Sequence, residues 1–184
     1  MAGGNPTDER RERDFYPTPY EVPWALVKAQ RFGRTIHECA SGDDAIVKFL
    51  EKVGYNVIAT DIHPLGRGEK MDFFDIKKPL ADCIITNPPF DIAADFIEHA
   101  WQVLKVRKMA LVLKATYWHA KTRRGLYERC KPAAIHPLTW RPDFLNKGAP
   151  TMDVMWCYWD RAYTGVDPVY QPLDKPTKSS KLLL

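Results

Sequence analysis

The sequence predicts an α/β fold in which a mostly parallel sheet carries helices on both faces. Short apolar runs alternate along the chain with stretches of helical period, the order expected when crossover helices join parallel strands. One run, Cys83 to Ile85, is apolar at every position, as in a strand covered on both sides. Polar side chains close several of these runs, and open α/β sheets keep their ligand sites at those carboxyl ends.

The first fourteen residues are polar and charged, contain Gly3-Gly4-Asn5-Pro6, and read as a flexible leader. Asp14-Phe15-Tyr16-Pro17-Thr18-Pro19-Tyr20 follows as a rigid aromatic and proline segment. A helix is expected next, with Pro19 or Pro23 in its first turn, Thr18 as its N-cap and Gly33 at its end. Residues 34–39 form a strand, closed by the small-residue turn Ala40-Ser41-Gly42. Asp43 or Asp44 caps a second helix, in which Ala45, Ile46, Phe49, Leu50 and Val53 make one apolar stripe before Gly54 stops it. Residues 55–61 are the next strand, 62–70 a loop with Pro64, Gly66 and Gly68, and 71–75 a short third element. After the strand around Ile84, a helix spans Ile92 to Lys105 and a buried strand Lys108 to Leu113. A basic helix-like stretch covers 119–130, a strand 133–136, a loop 140–150, and a last strand of alternating burial 152–159. The helix-free run between Ala133 and Trp159 predicts an antiparallel hairpin at the end of the sheet.

At 45% hydrophobic and 27% charged residues, the chain has the makeup of an ordinary globule with a sizeable core. No apolar run approaches the ~20 residues of a membrane span. Cys39, Cys83, Cys130 and Cys157 are widely spaced with no CxxC pair, which argues against disulfides and a zinc site and for a cytoplasmic home. The net charge of +4 is unevenly spread: Glu38 to Glu98 holds 6 Lys/Arg against 12 Asp/Glu, whereas Lys105 to Lys147 holds 11 against 2. That asymmetry suggests a small-molecule site in the first part and a polyanion surface in the second.

Four chemical groups fall at consecutive strand ends. Glu38 precedes Ala40-Ser41-Gly42-Asp43-Asp44, where small residues admit a ligand close to the backbone and the acids favour a cation over a phosphate. Asp61 ends the second strand, where an acid can accept from ribose hydroxyls. Asp72-Phe73 offers a carboxylate beside an aromatic ring. Asn87-Pro88-Pro89-Phe90 closes the buried strand. There two prolines that cannot join a sheet ladder fix the direction of an amide side chain, and an aromatic ring follows. That arrangement suits a planar molecule bearing an amino group.

With these residues in place, the sequence resembles the class I S-adenosylmethionine-dependent methyltransferases, and within them the DNA N6-adenine methyltransferases, including small phage-type members. Asn87-Pro88-Pro89-Phe90 resembles their catalytic motif. Tyr16-Pro17-Thr18-Pro19 is similar to the segment that covers the methionine end of the cofactor, Asp61 to the ribose-binding acid, and Asp72-Phe73 to the adenine-contacting pair. The resemblance runs from about Asp14 to Asp160. It implies a Rossmann-like fold with a seven-stranded sheet in a domain of residues 15–161, followed by a loop-like or disordered tail, 162–184. It implies cofactor contacts from Tyr16, Thr18, Pro19, Glu38, Ala40, Ser41, Gly42, Asp61, Ile62, Asp72 and Phe73. Asp44 is a departure, standing where the family turn has its final glycine.

The reaction so implied needs no metal. Asn87 and the Pro88 carbonyl would accept hydrogen bonds from an adenine amino group, and Phe90 would stack on the base, either flipped from a duplex or already single-stranded. Lys114, Tyr117, Trp118, Lys121, Arg123, Arg124, Trp140 and Arg141 interleave cations with aromatic rings, as a nucleic-acid surface does. Competing expectations are methylation of an RNA base or a protein glutamine, and a non-catalytic nucleic-acid-binding module on the same fold. The altered turn at Asp44 is the feature that supports the last.

Overall fold

The computed structural model describes residues 17–177. The expected leader, Tyr16 and the last seven residues of the tail lie outside the described residues. Helix α1 (Glu21–Ala29) leads into strand β1 (Thr35–Glu38), α2 (Ala45–Lys52), β2 (Asn56–Asp61) and a two-residue β3 (Glu69–Lys70). A 3-10 turn (Phe73–Asp75) precedes β4 (Cys83–Thr86). Helix α3 (Ala93–Glu98) continues as a π-helical turn, His99–Val103, into β5 (Lys108–Lys114). Two 3-10 turns, Tyr117–His119 and Lys121–Arg123, lead into α4 (Arg124–Arg129), followed by β6 (Ala134–Pro137), β7 (Val154–Asp160) and β8 (Val169–Tyr170).

The eight strands form one sheet in the order β3-β2-β1-β4-β5-β7-β6-β8. Only β7 runs against its neighbours, pairing β5 over its full length and β6 over Ala134–Pro137. The predicted hairpin at the end of the sheet is therefore present. The expectation of seven strands is corrected to eight, because Val169–Tyr170 pairs in parallel with β6 and a single bridge joins Leu138 to Leu173. Leu173 is buried, and its side chain secures this part of the chain to the sheet.

Strand alternation divides the core in two. Ile36, Ile85, Val112 and Trp156 face α1 and α2, meeting Val22, Trp24, Phe49 and Leu50. Ile84, Leu111, Leu113 and Trp159 face the opposite way, meeting Phe96, Ile97, Leu104 and Leu126. Both faces of β4 and β5 are thus covered, as their continuous apolar runs require. β7 departs from its expected alternation: Val154 to Trp159 are all buried, since this strand lies inside the sheet between β5 and β6.

Two further expectations change and a third holds. The segment 71–75 supplies a 3-10 turn capped by Asp72, and the edge strand lies just before it. Gly54, at φ 95°, closes α2 as predicted. Thr18 does not cap α1. That helix starts at Glu21 after Tyr20, and the Thr18 hydroxyl is engaged elsewhere. Among the described residues no helix is long and apolar enough to cross a membrane, and the four cysteines are free and buried.

Candidate active site

β1, β2 and β4 run parallel, so their carboxyl ends share one rim of the sheet. A cavity opens there, walled by the turn after β1, the end of β2, the 3-10 turn and the segment after β4. Its lining includes Thr18, Glu38, Ala40, Ser41, Gly42, Asp61, Ile62, Asp72, Phe73, Asn87, Pro88, Pro89 and Phe90. Residues scattered over seventy positions of sequence are thereby brought together, whereas Pro19 stays outside the wall.

The turn after β1 is tied down from two sides. Asp61 accepts from the Gly42 N–H through Oδ2 at 2.9 Å and from the His63 N–H through Oδ1 at 2.7 Å. Each oxygen keeps a second lone pair for a ligand hydroxyl. Leu65 and Gly66 donate their N–H groups to the Gly42 carbonyl at 3.0 and 2.9 Å, laying the 62–68 loop against the turn. Asp44 sits at φ 66°, the left-handed conformation that glycine adopts most easily. Its carboxylate accepts from the Arg67 N–H, and a Cβ on Gly66 would lie 2.1 Å from Asp44 Oδ2. Asp44 thus takes the backbone shape of a glycine and ties the turn to the opposing loop.

Glu38 is 1% exposed. Burial drives its carboxyl up to about 8, and the nearby acids Asp61 and Asp44 add to the rise. Oε1 accepts from the Ala40 N–H at 3.1 Å. The Thr86 hydroxyl faces the carboxyl and holds back part of its rise, while Ser41 Oγ and Asp44 Oδ1 are buried without a partner. An unpaired buried polar atom costs about 1–3 kcal/mol. Of these two, Ser41 Oγ lies on the cavity wall.

Asn87 follows β4. Its Nδ2 donates to Thr18 Oγ1 at 3.0 Å, while Oδ1 is buried and unpartnered. The amide therefore holds its donor side and leaves an acceptor in want of a donor. Asp72 Oδ1 is occupied by the Phe74 N–H at 2.9 Å, so this carboxylate shapes the 3-10 turn. Phe73 is buried and stacks on Phe96 at 4.8 Å. It is Phe74, which the sequence reading passed over, that stays half-exposed beside the cavity. His63, Leu65 and Ile46 were missed too, and only the pairing of the 62–68 loop with the turn brings the first two near.

The predicted nucleic-acid residues lie outside the cavity wall and differ among themselves. Tyr117 is 5% exposed in the second core cluster, and Trp118 donates to Cys157 Sγ at 3.3 Å. Trp140 packs on the first cluster with its Nε1 buried. Of the aromatic members, Tyr117 is thus part of the core, while Trp118 and Trp140 are half-buried, each packed against one face of the sheet. Arg124 pairs with Glu128 and Arg141 with Asp153. Arg123 stacks on the Tyr117 ring at 3.6 Å, and Lys121 is exposed. Lys114 stands apart: exposed at the end of β5, its Nζ lies 5.4 Å from the centroid of Phe90.

No protein-family model and no curated protein matches the chain. Solved structures do. The methyltransferase subunit of a type I restriction-modification system from Streptococcus thermophilus aligns with a TM-score of 0.60 at 13% identity, over 89% of this chain and 50% of that one. A provisionally assigned RNA methyltransferase from Pyrococcus horikoshii aligns at 0.59 and 13%, over 84% and 90%. Ribosomal protein L11 methylase from Lactobacillus delbrueckii subsp. bulgaricus aligns at 0.51 and 12%, over 76% of each. These names span three classes of substrate, and at such identity the likeness is one of architecture: the chain has the class I methyltransferase fold.

Proposed function

We propose that this chain transfers a methyl group from S-adenosylmethionine to the exocyclic amino group of adenine in DNA. The observation that carries the reading is the Asn87 amide, whose oxygen is buried, unpartnered and set in a cavity wall beside Pro88, Pro89 and Phe90. The donors and acceptors of the remaining wall fit the cofactor. Glu38 on the cavity wall suits a cationic ligand, Asp61 has lone pairs to spare for ribose hydroxyls, and Ile62 and Phe74 offer apolar faces to a purine. The acids disfavour a phosphate-bearing cofactor in the same place. When bound, S-adenosylmethionine supplies an activated methyl on a sulfonium centre.

The chain's own task is to make a poor nucleophile competent. An adenine amine is flat because its lone pair is delocalised into the ring. Hydrogen bonds accepted by Asn87 Oδ1 and the Pro88 carbonyl draw the nitrogen toward tetrahedral geometry and free the lone pair for attack. Phe90 stacks on the base and helps offset the few kcal/mol of unstacking. Alignment accounts for the rest, where positioning contributes roughly 7–11 kcal/mol. The basic second half of the chain and the Tyr16-Pro17-Thr18-Pro19 segment favour DNA adenine over a protein glutamine.

The test is methyl transfer from labelled S-adenosylmethionine to DNA, RNA and protein, comparing the wild type with Asn87→Ala. Transfer to DNA adenine is expected, with a loss of at least a hundredfold in the variant and unchanged cofactor binding. Transfer to RNA or protein alone would keep the chemistry and overturn the substrate. A wild type that neither binds the cofactor nor transfers methyl groups would leave a non-catalytic module.

A further inference from the structure

Thr18 belongs to the segment that the sequence assigns to covering the cofactor, and its hydroxyl reaches the catalytic strand instead. Its Oγ1 is the acceptor for Asn87 Nδ2 at 3.0 Å across 69 positions of sequence. Thr18 is 6% exposed, so little water competes for that bond. We infer that Thr18 is the positioning residue for Asn87: its hydroxyl tethers the amide through Nδ2 and keeps Oδ1 set toward the amine being methylated. The assignment rests on the methyl-transfer reading above.

An asparagine amide can be turned by 180° with little change of shape, which exchanges acceptor for donor. The turned form would set an NH2 group against the substrate's own NH2, donor facing donor. A hydroxyl both accepts and donates, so Thr18 does not choose between the two forms. Its bond restricts the rotation of the side chain, and the incoming amine, which needs an acceptor, selects the form with Oδ1 toward it. Such a lock works only if its far end is rigid, and Thr18 is held on three sides. Pro17 and Pro19 flank it, and a residue before proline is confined to extended backbone. The Pro19 carbonyl accepts from the Val22 N–H at 2.9 Å, joining the segment to α1. The Val22 carbonyl in turn accepts from Trp156 Nε1 at 3.0 Å, which fastens α1 to β7 in the middle of the sheet. The path from the sheet through α1 to Thr18 consists of packed or hydrogen-bonded elements at every step, the support that a preorganised site needs.

Two variants separate this role from cofactor binding. Thr18→Val keeps the shape and removes the acceptor; Thr18→Ser keeps the acceptor. In steady-state assays Thr18→Val is expected to lower kcat at least tenfold, with the Kd for S-adenosylmethionine within about twofold of the wild type, and Thr18→Ser to recover kcat to within about threefold. Full activity in Thr18→Val would overturn the inference, as would loss of cofactor affinity in parallel with kcat. The lock is also read without turnover. In 15N-labelled protein the Asn87 side-chain amide protons should exchange with solvent more slowly in the wild type and Thr18→Ser than in Thr18→Val. Equal exchange in all three removes the lock. Protected amide protons in a wild type that transfers no methyl group would instead remove the proposed reaction and leave the lock standing.

Discussion

Glu38 and His37 are adjacent in β1 and titrate in opposite senses. Burial raises the Glu38 carboxyl to about 8 and holds the His37 imidazole down to about 4, its Nε2 within 2.8 Å of Thr60 Oγ1. The share of stability that Glu38 brings is complete below its unfolded value and is lost as pH rises through about 8. That of His37 is present above its unfolded value of 6.5 and is lost as pH falls toward 4. Between pH 6.5 and 8 Glu38 acts without opposition from His37, and stability should fall by about 2 kcal/mol across that window. Urea denaturation at the two ends of the window should show this fall in the wild type and its absence in Glu38→Gln; equal slopes would remove Glu38 as the cause. Affinity for a cationic cofactor should move the other way, rising over the same window as the carboxyl ionises. At this scale the sequence was readable where a place at a strand end puts a residue on the cavity wall, as for Glu38, Asp61 and Asn87. It was misleading where a side chain had two local uses. Thr18 has the form of a helix cap, and only the fold brings it to Asn87. Phe73 and Phe74 are neighbours in a tight turn; Phe96 stacks on the first and meets the second edge-on, and only the fold shows which one is buried.

The turn after β1 and the loop after β2 behave as one element. Gly66 leaves the space that the Asp44 carboxylate fills, and Gly68 leaves the space of the Ser41 hydroxyl, since a Cβ there would lie 2.3 Å from Ser41 Oγ. Gly66→Ala is therefore expected to force the loop off the turn, weakening cofactor binding by tenfold or more. Asp44→Gly suits the positive φ and removes the clash, so the double variant should recover most of that affinity. Isothermal titration of the four proteins with S-adenosylmethionine would decide it: additive losses would show that the two residues do not meet. The helices and strands themselves were legible because their apolar stripes and buried runs keep a clear period. The 3-10 turns around α4, the π-helical end of α3 and the two-residue strands β3 and β8 were not. Each is too short to show a period, and β8 depends on its pairing with β6, distant in sequence.

Across the whole molecule, the basic half of the chain resolves into cations with different partners. Arg124 and Arg141 spend their charge on Glu128 and Asp153, whereas Lys114 stands by Phe90 with no carboxylate pair among the described residues. Extending the register that sets Thr86 opposite Leu111 brings Lys114 level with the Pro-Pro segment. If the phosphate next to the target base lies there, Lys114→Gln should lower the slope of log affinity against log salt by about 0.7–0.9. Arg124→Gln and Arg141→Gln should change it less. Fluorescence anisotropy with a labelled oligonucleotide across several salt concentrations would measure this, and identical slopes for all three variants would remove Lys114 from the contact. The charge asymmetry was legible in composition, but the pairing that sorts it was not, because it depends on which surface each helix and loop turns outward. The position of β7 has a consequence in time. This strand enters the sheet between β5 and β6, both of which precede it in the chain. Trp156, on that strand, is the anchor for Val22, 134 residues earlier. As the chain leaves the ribosome, Thr18 and Asn87 emerge long before the strand that seats α1 exists. The bond that seats α1 on the sheet can therefore form only once residues 154–160 have been made.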